Sequence, residues 1–218
     1  MDMATALLTL IHIMVLVYWL GGDLGAFYSS SFLTGPSHSV AERMLALKIL
    51  NNIDMAPRTA LILALPTGTA LAWTKGWVTL DTYVPVLIGL FCLGWLALAW
   101  AVHLRHDTVG LKRIDVGIRW IVLAVLFTLG SAGALKLIEL PLFIALKLLV
   151  LAVCIALGLV IRRQLAPLAS PIQAMAAVGP TPATDTEIAK VIARTRPVVV
   201  ALWLCLLAAA YLGITTPI

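Results

Sequence analysis

Six runs of mostly apolar residues, each near the length that crosses a bilayer, recur along this chain: roughly 4–30, 56–74, 83–103, 117–135, 138–161 and 197–216. A helix rises about 1.5 Å per residue, so about 20 apolar residues span a hydrocarbon core about 30 Å thick. With 62% hydrophobic and 11% charged residues and a mean hydropathy of +1.06, the chain cannot hide its apolar surface in a water-facing globule. Soluble domains carry about 25% charged residues. The expected fold is all-α: a polytopic bundle of about six transmembrane helices forming one domain over 1–218, with the lipid bilayer as its solvent. "MDMATALLTL" lacks a basic leader and a small-residue cleavage site, so the first run is expected to be retained as a span.

The charges between the runs alternate. Arg43, Lys48 and Arg58 follow the first run; Arg105, Lys112, Arg113 and Arg119 follow the third; Arg162, Arg163, Lys190, Arg194 and Arg196 follow the fifth. The other two connections hold Lys75 and Lys136, and the tails hold no basic residue. By the positive-inside rule the three basic loops face the cytoplasm and both termini the periplasm, as in a multi-pass protein of the bacterial inner membrane. The net charge of +5 is explained by this topology, and no nucleic-acid partner is expected. "SVAE", Ser39 to Glu42, is a capping box opening an amphipathic helix to about Asn52, expected to lie at the interface. The Pro-, Ala- and Thr-rich stretch 164–186 reads as a flexible cytoplasmic linker between spans five and six. "TDTE", Thr184 to Glu187, reads as a cap for a short helix, and Pro197 as the point where the last span bends or restarts. Runs two and three resemble runs four and five, each pair opening at an arginine and returning to a basic end; this fits either a duplication or chance similarity between apolar helices.

Ionisable residues inside spans are costly and usually face the bundle interior. His12 lies about 12 Å in from the outer end of the first span, and Lys147 at nearly the same depth in the fifth, by the rise per residue. The two are expected to converge on one site in the outer half. His12, Trp19 and Asp23 share a helix face. Gly21, Gly22 and Gly25 leave room for another helix or a flat ligand. No other carboxylate shares the depth of Lys147, so its counter-ion is open to being a bound ligand. A second cluster nearer the cytoplasm draws on Asp23, Arg58, His103 and Arg119, with Tyr28 and Ser29 to Ser31; there an Asp23–Arg58 ion pair is the simplest arrangement. His103 and His106 sit in a basic loop mouth and read most simply as interfacial residues, and His38 is a loop residue with no signal. Cys92, Cys154 and Cys205 lack metal-site spacing and read as small hydrophobes. No nucleotide-binding loop, metalloprotease motif or nucleophile elbow is present.

"HIMVLVYWLGG" has an H-x6-W-x-x-G arrangement at the first span. With the lysine-bearing "LPLFIALKLLVLAVCIALG" and with "DMAPRTALILALPTGTALAW", it resembles the HemJ-type membrane protoporphyrinogen IX oxidases, the CopD-like copper-resistance membrane proteins and related membrane proteins of unknown function. The chain departs from that group in having six runs, with the lysine on the fifth. The resemblance implies haem b with His12 as its axial metal ligand, Trp19 packed on the same face, and Lys147, Arg58 and Asp23 around a porphyrin or its propionates. It implies a redox reaction in which Lys147 and Arg58 take part, with a quinone or porphyrin as the small-molecule partner. No second histidine shares the depth of His12, so a bis-histidine haem within one chain is not expected. Two further readings stand beside this one: a transporter for copper or a small solute, and a non-catalytic membrane subunit or assembly factor working in a homo-oligomer or with another membrane subunit.

Overall fold

The computed structural model describes residues 2–35, 37–105 and 109–215, and every regular element among them is helical. In order they are α1 (Met3–Ser30), a 3-10 turn (Ser31–Leu33), α2 (Val40–Ile53), α3 (Met55–Thr74), α4 (Tyr83–Leu104), α5 (Val109–Ala134), α6 (Leu142–Leu165), a 3-10 turn (Ala166–Leu168), α7 (Ala169–Val178) and α8 (Pro182–Thr215). Five described stretches are long and apolar enough to cross a membrane: those built on α1, α4, α5, α6 and α8. The remaining expected span, α3, has 20 residues but falls short in apolarity, because Arg58, Pro57, Pro66 and several threonines dilute its leucines. It is instead the helix with the most buried residues, Ala60 and Ile62 being fully covered.

The long helices close into a ring. α1 packs extensively on α3, α3 on α4, α5 on α6 and α6 on α8, while slighter contacts, α4 to α5 and α8 to α1, join the two three-helix halves. The centre of the ring is one apolar core, with Val15, Trp19, Ile62, Trp95, Leu126, Ile155 and Leu206 drawn from all six helices. The outer surface is the reverse of a soluble protein's: Leu90, Leu93, Phe127 and Ile121 are 57–65% exposed. An apolar belt of that extent is tolerated in lipid and not in water. Close helix approach is set by small residues. A Cβ on Gly22 would sit 2.6 Å from the Ala56 Cβ, and one on Gly130 would sit 2.9 Å from the Ala145 carbonyl oxygen. Of the α1 glycines, Gly22 admits α3 and Gly25 lies against Ile53 of α2, while Gly21 has nothing within 4 Å.

A second, smaller core lies at the basic end. Leu33, Ala46, Ile172, Met175, Ile188 and Ile192 bring together the chain after α1, α2, α7 and the first turns of α8 into a cap over the bundle. α8 runs through both layers: its 34 residues are about 51 Å long, well beyond the bilayer core. Pro197 falls inside this continuous helix, near the boundary between its cap and bundle portions, and does not restart it. The 164–186 stretch expected to be a flexible linker is occupied by α7, whose Ile172 and Met175 are buried in the cap, and by the start of α8. The cap residue there is Thr181 rather than Thr184. The Thr181 hydroxyl accepts the Thr184 N–H at 3.2 Å, and the Thr184 hydroxyl accepts the Thr181 N–H at 2.9 Å. The Ser39–Glu42 capping box is present as read, with reciprocal side-chain-to-backbone bonds. α5 starts at Val109, about two turns before the expected 117, because Lys112, Arg113 and Asp115 are polar without breaking the helix.

Arg43 locks the cap. It is 1% exposed, donates from Nε to the His38 carbonyl at 3.1 Å and to the Gly35 carbonyl, and pairs with Asp185. It also lies against Met175 Sδ at 3.7 Å. A buried guanidinium is tolerable only when its donors are satisfied, and these partners come from both ends of the cap.

Candidate functional site

Between the bundle core and the cap lies a cavity of about 480 Å³, within the range of small-molecule sites. Its apolar walls come from both layers, with Leu61 and Leu202 on the bundle side and Leu33 and Leu168 on the cap side. Trp19 stands at its bundle end, 4% exposed. Four arginines on four different helices reach it: Arg58 from α3, Arg119 from α5, Arg162 from α6 and Arg196 from α8. Asp23 and Asp54 are the acidic groups on its lining.

Helix spacing sets which of these charges are already matched. Arg58 pairs with Asp54 one turn earlier, at the α2–α3 junction, and not with Asp23 as the simplest sequence reading had it. The i,i+4 geometry within a helix outcompetes a pairing between helices. Asp115, 1% exposed, accepts from Trp95 Nε1 at 3.1 Å, Arg119 Nε at 3.1 Å and Arg162 Nη2 at 3.2 Å. One carboxylate thus orients two guanidinium groups that line the cavity and leaves the pair with a net positive charge. The Arg196 guanidinium lies 5.2 Å from the Phe27 ring centroid and has no carboxylate ion-pair partner among the described residues. Asp23 faces the Trp19 indole a turn above it, yet Asp23 Oδ2 and Trp19 Nε1 are both buried without a bond of acceptable geometry. Both residues line the cavity, where the indole N–H and the carboxylate face each other.

His12 and Lys147 lie elsewhere. His12 Nδ1 is 2.8 Å from the Thr67 hydroxyl. That hydroxyl spends its own hydrogen on the Leu63 carbonyl at 2.6 Å, so it accepts from Nδ1, and the neutral ring is the tautomer with a free Nε2 lone pair. The ring rests against Gly68, where a Cβ would be 3.2 Å from Cε1. Lys147 Nζ rests against Gly213 of α8, where a Cβ would be 2.5 Å away.

The structure therefore divides the expected site residues between two places. Trp19, Asp23 and Arg58 line the cavity, whereas His12, against Thr67 and Gly68, and Lys147, against Gly213, do not. Along α1 the step from His12 to Asp23 is about 16 Å, and Val15 and Trp19 fill it within the packed core. The free Nε2 of His12 suits a metal, but a porphyrin plane reaching from that nitrogen to Arg58 would have to displace those side chains. No group of three or more His, Cys, Asp or Glu able to hold a metal exists among the described residues. Met14, two residues from His12, is 48% exposed on the outer surface. Of the second cluster, Asp23, Ser30, Arg58 and Arg119 reach the cavity. His103 instead packs edge-on to Trp100 at 6.0 Å, and Tyr28 is 68% exposed; His106 lies outside the described residues. Asp115, Arg162 and Arg196 were not singled out as site residues from sequence. The i,i+4 spacing of Asp115 and Arg119 is the one local signal that pointed to that network.

The chain matches no family model, no curated protein and no solved structure. Its functional reading rests on the geometry above.

Proposed function

We propose that this is a six-span protein of the bacterial inner membrane, with both termini periplasmic, that binds an anionic amphiphile in the cavity at its cytoplasmic end. The observation that carries this reading is the convergence of Arg58, Arg119, Arg162 and Arg196 on one otherwise apolar cavity. Guanidinium forks match carboxylate and phosphate geometry, and in a low-dielectric site they favour a ligand with one or two such groups and an apolar body. The asymmetric basic loops support the orientation, in which this cavity would lie on the inner side.

A tetrapyrrole dicarboxylate, the class implied by the resemblance to HemJ-type proteins, has this character. What supports it is that Trp19, Arg58 and Arg196 all line the cavity, the indole offering an apolar face and the guanidinium groups partners for propionates. In this reading haem b, if it is the tetrapyrrole taken, is held by its propionates and its flat face rather than through His12. The oxidase activity with quinone that the resemblance implies would then have this cavity as its substrate site.

The test is porphyrin titration of the purified protein in detergent, read as the Soret band and as quenching of tryptophan emission. Arg58→Gln and Arg196→Gln each remove one charged hydrogen bond, worth about 1.5–3 kcal/mol, and should weaken binding by about tenfold or more. His12→Ala should leave it unchanged. Undiminished affinity in both arginine variants, or a Soret band lost only in His12→Ala, would refute the proposal. If acyl carboxylates or phospholipids compete and porphyrin does not bind, the ligand is an amphiphile of another class.

A further inference from the structure

We propose that the ligand of this cavity arrives sideways from the inner leaflet, through the seam between α1 and α8, with Phe27 as the movable plug. This rests on the cavity reading above and adds the source and the route: an anionic amphiphile already dissolved in the membrane, entering with its charged group first and its apolar part trailing in the seam.

The first observation is the seam itself. α1 and α8 make the slightest contact of any neighbouring pair in the ring. α1 is held on its other side, where Gly22 lets it close onto α3. The second is where the cavity meets that seam. α1 gives the cavity wall Asp23, Phe27 and Ser30, and α8 gives it Arg196, Val199 and Leu202, each set spaced by three or four residues along one face. Two helices that both turn a stripe toward the same cavity leave a cleft between them there. The other loose seam, between α4 and α5, has no such cleft: among the described residues α4 contributes nothing to the cavity wall and α5 only Arg119. The third is exposure. Arg196 lines the cavity and is also exposed on the surface of the molecule, so the cavity reaches the surface beside it. Leu24, one turn from Phe27, and Val200, one turn from Arg196, are exposed apolar neighbours on the bundle side, where lipid solvates an apolar tail.

Three side chains close the cleft. The Phe27 ring meets Trp203 edge-on, with centroids 5.2 Å apart, and the Arg196 guanidinium lies 5.2 Å from the same Phe27 centroid. A cation–π contact at an exposed site is weaker than a charged hydrogen bond, and Arg196 has no carboxylate ion-pair partner among the described residues. A carboxylate or phosphate reaching the cleft therefore draws Arg196 off the ring, and the plug loses one of its two holders. α8 carries a compliant point at the same level. Pro197, next to Arg196, has no N–H to offer the Ala193 carbonyl, so the helix lacks one backbone bond where its cap and bundle portions join. Trp203 and Pro197 stand outside the cavity wall, which separates moving the plug from holding the ligand.

A membrane-resident quencher tests the route. The intact protein in phosphatidylcholine vesicles is mixed with dibromostearate, whose bromines quench tryptophan only at short range. Its uncharged methyl ester serves as the control for partition and for collisions within the bilayer. The acid should give a saturable quenching component that Trp19→Phe reduces, and the ester should give none. Stopped-flow mixing then reads the rate of that component. Phe27→Ala should speed it severalfold. Pro197→Ala, which restores the missing N–H at an exposed position, should slow it severalfold and leave the equilibrium quenching curve unchanged. Arg43→Met, which unties the cap, should leave the rate as it is. A rate raised by Arg43→Met and indifferent to Phe27→Ala and Pro197→Ala would mean entry from the cytoplasm beneath the cap and would overturn the proposal. So would the absence of a saturable component in a protein that still binds porphyrin in detergent. Absence of both kinds of binding would overturn the cavity reading, and the route with it.

Discussion

Replacing Asp115 by asparagine keeps the shape of one side chain and removes the charge that orients two cavity arginines. Asp115 is 1% exposed and accepts three bonds, from Trp95, Arg119 and Arg162. Breaking a buried ion pair by neutralising one partner costs about 3–5 kcal/mol, because the other charge stays buried and unpaired. The two arms are unequal. The Arg119 side chain is 9% exposed, so its share is nearly undiminished, whereas the Arg162 side chain is 33% exposed and solvent screens its loss. The expected destabilisation is therefore about 3–4 kcal/mol. At about 2–4 °C per kcal/mol for a chain of this length, the midpoint should fall by about 6–16 °C. The assay is monodisperse protein remaining after heating in detergent, read by fluorescence-detected size exclusion. The companion is Asp115→Asn with Arg119→Gln. Removing the stranded guanidinium should recover part of the loss, giving a coupling energy of about 1–3 kcal/mol in the double-mutant cycle. A single variant within about 2 °C of wild type, or strictly additive effects in the cycle, would show that Asp115 does not hold these arginines.

Other perturbations follow from the same packing. Arg43→Met should open the cap, raising protease cleavage between 34 and 39 and leaving the bundle helices protected, because Arg43 ties Gly35 and His38 to Asp185; uniform loss of protection across the chain would count against a separable cap. Gly22→Val forces a side chain to within 2.6 Å of the Ala56 Cβ and should cost about 1–3 kcal/mol through α1–α3 separation, measured by the same heating assay, whereas Gly21→Val, with nothing within 4 Å, should be close to neutral. Ser39→Ala removes the α2 cap and should cost about 1 kcal/mol near neutral pH. The Ser39 backbone and side-chain bonds hold the Glu42 carboxyl below its ordinary value of 4.5. The stability contributed by that carboxylate is thus fully present above pH 4.5 and is lost as pH falls through the lowered value, so the gap between wild type and Ser39→Ala should narrow on acidification below 4.5. A gap that widens there would reverse the assignment.

The helical architecture was legible because it rests on local causes. Apolar runs of fixed length, the Ser39 capping box and the alternating basic loops are each short-range and additive. The 164–186 stretch misled because its prolines sit at helix starts: Pro171 lies in the first turn of α7 and Pro182 opens α8, positions where the missing N–H costs nothing. Composition alone cannot tell a proline that begins a helix from one that prevents it. The α3 span was ambiguous for a related reason. A helix surrounded by others needs less apolar surface than one facing lipid, so Arg58 and the threonines lower its hydropathy without removing it from the bundle.

The site was harder to read because it depends on pairings that sequence leaves degenerate. The rise per residue fixes how far His12 stands from Asp23 along α1. It could not show that Val15 and Trp19 pack solid between His12 and Asp23, which separates two sites that one helix face had seemed to unite. Nor could it choose among carboxylates for Arg58, since Asp54 and Asp23 both lay within plausible reach. Asp54 wins because one helix turn already holds it there, whereas pairing with Asp23 would require ordering two helices against each other at no further gain. That choice leaves Asp23 without an ion-pair partner among the described residues at the wall of the cavity. A local rule thus satisfied Arg58 and left Asp23 facing the Trp19 indole across the cavity wall, a choice that the spacing along α1 alone could not make.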